Sequence, residues 1–137
     1  MSGYKEALEA AGAKVHRFFE AGSYQGEWYA LVWFAGHLGW VTGGYGSCSG
    51  CDAFEAEFGF AYNLDEEQQR AYNERLRLFG LSYLGENGEQ VHTHEELMKK
   101  LVNQQYIGMD DEEAIEKLNQ IGEEMGFARV ERTKGDE

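Results

Sequence analysis

The chain has 137 residues, enough for one domain that buries its own core without disulfide or metal staples. Lys and Arg total 12 against 25 Asp and Glu, a net charge of −13, which argues against direct binding to DNA, RNA or an anionic membrane. No run of about 18 apolar residues occurs, no basic start precedes an apolar stretch, and two Cys are too few for a disulfide scaffold, so a soluble, cytoplasmic protein is expected.

Tyr4, Ala7, Leu8, Ala11, Val15, Phe18 and Phe19 recur at intervals of three and four, which predicts a helix over 3–20. Ser2 would cap it and Gly22 would close it. Glu27 to Phe34 is rich in aromatics and bounded by Gly26 and Gly36, the pattern of a strand. It is apolar on both faces, as a central strand covered by helices would be. Ala35-Gly36-His37 makes a short turn, and Leu38 to Thr42 returns as the antiparallel partner. Gly43 to Cys51 reads as a loop of small residues, and half of the 18 glycines lie between Gly22 and Gly59.

From Asp52 the pattern turns helical. Asp52-x-x-Glu55 has the spacing of a capping box, with Phe54 and Phe58 four apart behind it. Asp65 opens a longer helix with Tyr72, Leu76, Phe79 and Tyr83 on one face, ending near Gly85. Asn87-Gly88 is a turn, and Thr93-x-x-Glu96 is a second capping box leading Leu97, Met98, Leu101 and Val102. Asp110-x-x-Glu113 starts a last helix through Ala114, Ile115, Leu118, Ile121 and Met125, closed by Gly126. Phe127 to Arg132 alternates like a short edge strand, and the tail after Thr133 is expected to fray. These elements predict a single α+β domain over 1–137: a small antiparallel sheet with its hairpin at 27–42, packed against an N-terminal helix and several C-terminal helices. Its core is expected to hold Trp28, Leu31, Trp33, Val41, Phe54, Phe58, Leu76, Phe79, Leu97, Leu101, Ile115 and Leu118.

Cys48-Ser-Gly-Cys51 admits three readings. A reactive thiol wants an electropositive helix start, but no Lys or Arg occurs between Phe18 and Gln69, and Asp52 would raise a thiol pKa. A zinc site would join Cys48 and Cys51 to His92 and His94, with His37 as a further ligand. That His pair straddles a helix start where Thr93 already caps, and no second Cys-x-x-Cys completes the set. The favoured reading packs both thiols as small hydrophobes beside a glycine turn. His16 is expected on the surface of the first helix. No Gly-x-Ser-x-Gly, His-Glu-x-x-His or P-loop occurs, and Gly43-Gly44-Tyr45-Gly46 lacks the Lys of a phosphate cradle, so no enzymatic activity is expected.

Gly22-Ser-Tyr-Gln-Gly26-Glu-Trp28, followed by Tyr45-Gly-Ser-Cys-Ser-Gly-Cys-Asp-Ala-Phe54, resembles a block in small uncharacterised proteins of bacteriophages and prophages. The match covers residues 22–59 and implies a phage origin, with no activity attached.

Acids at 65–67 and 110–113 suit helix starts, where each contributes about 0.3–1 kcal/mol against the dipole. That placement leaves the overall excess of 13 negative charges unexplained. Carboxylates in such number either aid solubility or imitate nucleic-acid phosphates against a basic groove. The expectation is a non-enzymatic, acidic, phage-type inhibitor of a basic, nucleic-acid-handling host defence protein. It would resemble an anti-CRISPR protein acting as a DNA mimic on an RNA-guided nuclease in the host cytoplasm. Asp110, Asp111, Glu112, Glu113 and Glu116 are the expected contact residues, and no cofactor is required. The alternative is a small zinc- or thiol-dependent protein centred on Cys48 and Cys51.

Overall fold

The computed structural model describes residues 3–22, 25–46, 52–59 and 63–131. Ser2, Cys48, Cys51 and the tail after Thr133 lie outside the described residues. The elements run α1 (Gly3–Ala10), β1 (Lys14–Gly22), β2 (Gly26–Phe34), β3 (His37–Tyr45), α2 (Ala53–Phe58), α3 (Glu66–Leu84), α4 (His94–Val102) and α5 (Met109–Glu124). The fold class is α+β, built on one antiparallel sheet in the order β1-β2-β3. No helix among the described residues is long and apolar enough to cross a membrane.

β2 is central, and its alternation feeds two cores. Trp28, Ala30 and Val32 face Tyr4 and Leu8 of α1 and Leu84 of α3, with Phe54 of α2 packed alongside. Tyr29 and Leu31 face the other way, onto Leu97, Met98 and Leu101 of α4 and Ala114 and Leu118 of α5. Helices on both faces explain why this strand carries no polar side. The β2–β3 turn pairs Phe34 with His37, and Ala35 and Gly36 both take positive φ (53° and 81°), as a tight two-residue hairpin turn demands. β3 reaches Tyr45, so Gly43 and Gly44 belong to the strand rather than to a loop. At Gly43 the missing Cβ lets the Trp28 indole and the Tyr83 ring close on the backbone, 5.1 Å apart between centroids.

The first helix is shorter than the periodicity implies. It ends at Ala10, and the chain turns through Gly12 (φ 104°) into β1. Val15, Phe18 and Phe19 therefore lie on a strand, and Gly22 ends that strand rather than capping a helix. The register explains the misleading interval. Val15 pairs with Val32 and Arg17 with Leu31, so an irregularity at His16 inserts one residue between them. That extra residue puts Val15 and Phe18, three apart, on the same face. A bulged strand thus mimics a helical spacing. His16 is exposed, on a strand and not on a helix.

The caps follow the sequence closely. Asp52 accepts the Glu55 N–H, Asp65 and Gln68 form a reciprocal capping box, and Thr93 and Glu96 form another. The α5 start differs: Gly108 is the N-cap, with the Asp111 carboxylate accepting its N–H at 3.1 Å, so Asp110 lies inside the first turn. Trp33 also departs from expectation. It is half exposed, at 50 %, whereas Trp40 and Tyr29 fill the core on that face. Phe54, Leu76, Phe79 and Ile115 are only partly buried. Residues 127–131 form no strand; the Asn119 side chain accepts the Val130 N–H and donates to its C=O, both at 2.8 Å, holding that segment to α5.

Candidate functional site

Strand pairing and the start of α5 bring separate acids to one end of the sheet. Gly22 pairs with Gly26 where β1 turns into β2, placing Glu20 and Glu27 on either side of that end. The Gly22 N–H donates to the Glu113 carboxylate at 3.3 Å, which ties α5 to β1. The Asp110 carboxylate lies against Gly22, within 3.1 Å of where a Cβ would stand.

The electrostatics record this convergence. Burial, then Asp111, push the Glu27 carboxyl above its usual range, with Lys100 opposing. The Tyr29 phenol is raised by burial and then by Glu27 and Asp111. Burial also raises the Tyr45 phenol, followed by Glu20, Asp110 and Glu113. Two sets of carboxylates therefore meet at this end of the sheet: Glu27 and Asp111 act on Tyr29, and Glu20, Asp110 and Glu113 act on Tyr45 on the other face.

Beside them lies a cleft of about 670 Å³, between the open face of β2–β3, α4 and the start of α5. Tyr29, Leu97 and Leu101 give it an apolar floor, and Glu27, Asp110 and Asp111 give it a negative wall. Lys100 is the one cation among its lining residues. Among the described residues, its lining holds carboxylates, the Tyr29 ring, Thr42 and Lys100, and no histidine or cysteine.

The expected contact residues divide. Asp110, Asp111 and Glu113 belong to this acidic end, and Glu112 is exposed on the same first turn of α5. Glu116 is engaged elsewhere: Arg129 donates to its carboxylate and also pairs with Glu131 at 2.6 Å. The Arg129 hydrogen bond holds the Glu116 carboxyl below its ordinary range. Glu20 and Glu27 escaped the sequence reading. Glu20 fell inside a supposed helix, and only the β1–β2 register reveals that both flank the same strand end.

The histidines of the zinc alternative face different surroundings. His92 is exposed, and its backbone bridges Trp40 through N–H and C=O bonds of 2.9 and 2.6 Å. His94 is buried at 4 % exposure; its Nδ1 accepts from Trp40 Nε1 at 3.2 Å and its ring stacks on Phe127. One imidazole turns to solvent and the other is spent in the core. His37 is exposed at the β2–β3 turn. No group of three or more His, Cys, Asp or Glu among the described residues could hold a metal ion. No protein-family model, no curated protein and no solved structure matches the chain.

Proposed function

We propose that this protein is a non-enzymatic, acidic binding protein that docks its carboxylate-rich sheet end on a basic surface of a nucleic-acid-handling protein. One observation carries the reading: Glu20, Glu27, Asp110, Asp111 and Glu113 gather from three elements at one end of the sheet, on its two faces, and Lys100 is the cation that acts on Glu27. Burial first, and the like charge of Asp111 second, push the Glu27 carboxyl up, a cost that solubility alone does not require. Opposed carboxylates destabilise the unbound fold, and a cationic partner relieves that repulsion. At physiological salt, screening over about 8 Å limits such a surface to close contact, as phosphates make in a nucleic-acid channel. The finer identity, a phage-type inhibitor of an RNA-guided nuclease acting in the host cytoplasm, rests on the resemblance of the 22–59 block together with the charge.

The reading is tested by capturing the partner from host lysate at low salt and then challenging the complex. Release by single-stranded nucleic acid and by raised salt is expected. A partner that stays bound against both would overturn the proposal.

A further inference from the structure

The cleft has a shape and a charge that narrow what enters it. We infer that the 670 Å³ cleft between β2–β3, α4 and the start of α5 receives an arginine side chain of the basic partner, its guanidinium held between Glu27 and Asp111. This deepens the docking reading above and rests on it.

An arginine has an apolar stem and a planar charged head, and the cleft repeats that division in Leu97 and Leu101 on its floor and the carboxylates on its wall. Two carboxylates from different elements, Glu27 on β2 and Asp111 on α5, suit a forked donor better than a point charge. Asp111 also accepts the Gly108 N–H, which fixes its carboxylate in place before any partner arrives. Glu27 and Asp111 repel each other, and Lys100 does not cancel that repulsion: it makes no ion pair within 4.0 Å with any described carboxylate, and its effect on Glu27 ranks below that of Asp111.

The experiment titrates isotope-labelled protein with three short capped peptides at low salt: one containing a single arginine flanked by glycines, one with lysine in its place, and one with the neutral isostere citrulline. Amide shifts at Gly26, Glu27, Thr42, Gln104 and Gly108 report the cleft. The arginine peptide should shift these amides, the lysine peptide should bind several-fold more weakly, and the citrulline peptide should leave them unmoved. In the variant Glu27→Gln with Asp111→Asn, which keeps an acceptor for Gly108, the arginine peptide should lose at least tenfold in affinity. The variant Glu66→Gln with Glu67→Gln removes the same charge at the exposed start of α3 and should bind within twofold of wild type. Equal binding of arginine and lysine, or shifts spread evenly over the acidic helix starts, would overturn the arginine cleft while leaving the acidic docking surface standing. No binding of either cationic peptide would overturn both.

Discussion

The Tyr4 hydroxyl donates to Asp52 Oδ1 at 2.9 Å, joining α1 to the start of α2 across 48 residues. The same hydroxyl accepts the Phe54 N–H at 3.1 Å, while Asp52 Oδ2 accepts the Gly46 N–H at 3.0 Å. One buried carboxylate, 1 % exposed, thereby ties the end of β3, α1 and α2 together. Burial alone would push this carboxyl up, but the Gly46 and Glu55 N–H groups and the Tyr4 hydroxyl outweigh it and hold it below the usual range.

Asp52→Ala should therefore cost about 2–4 kcal/mol, the loss of an N-cap added to buried donors left without an acceptor. Because the folded pKa lies below the unfolded one, the carboxylate's stabilisation is present above about pH 4 and fades as pH falls further. Denaturant melts of wild type and Asp52→Ala at pH 7 and pH 3 check both statements; the gap between them should narrow at pH 3.

His94 acts in a different window. Burial depresses its pKa, with Glu95 opposing, so the neutral ring that accepts from Trp40 is the folded form. Its contribution is complete above about pH 6.5 and is lost as pH falls from there toward the depressed folded value. His94→Asn, which places an amide oxygen near the Nδ1 position, should flatten the pH dependence of the melting temperature between pH 7 and 5. A slope unchanged from wild type would mean that His94 does not titrate on unfolding.

The two faces of β2 predict opposite responses from two tryptophans. Trp28 is fully buried, stacked on Phe18 at 5.8 Å and edge-on to Tyr83 at 5.1 Å, so Trp28→Ala should cost about 3–5 kcal/mol. Trp33, half exposed near the hairpin turn, should cost about 1 kcal/mol or less. Thermal melts of the two single variants separate them.

Glycines offer a sharper check of packing. A Cβ at Gly80 of α3 would collide with the backbone carbonyl of Ala7, so α1 and α3 cross where neither can yield. Gly80→Ala should destabilise by about 2–3 kcal/mol. Gly44, whose Cβ would meet nothing closer than the Gly26 carbonyl at 3.7 Å, should accept Ala within about 0.5 kcal/mol.

Much of the fold was legible because its signals are local. The Asp65 and Thr93 capping boxes and the Ala35-Gly36 turn each depend on residues within four positions of one another. The doubly apolar run in β2 announced helices on both faces before any contact was known. The failures have one common cause, which is pairing at long range. The bulge at His16 gave Val15 and Phe18 a helical interval, and only their partners Val32 and Ala30 show that the segment is a strand. Trp33 and Trp40 look alike in sequence, and the position of α4 decides which one is covered. The acidic end of the sheet was half visible. Asp110, Asp111 and Glu113 stood out as a cluster, whereas Glu20 and Glu27 join them only through the β1–β2 register.

The most direct measurement compares two four-charge variants for affinity toward the captured partner at fixed ionic strength. One carries Glu20→Gln, Glu27→Gln, Asp110→Asn and Glu113→Gln at the acidic sheet end; the other carries Glu6→Gln, Glu9→Gln, Glu66→Gln and Glu67→Gln on exposed helix surface. Both lose the same net charge, so bulk electrostatics cannot distinguish them. The account predicts at least a tenfold loss for the first and a change within twofold for the second. Equal losses, or no loss in either, would contradict the claim that this end of the sheet is the binding surface.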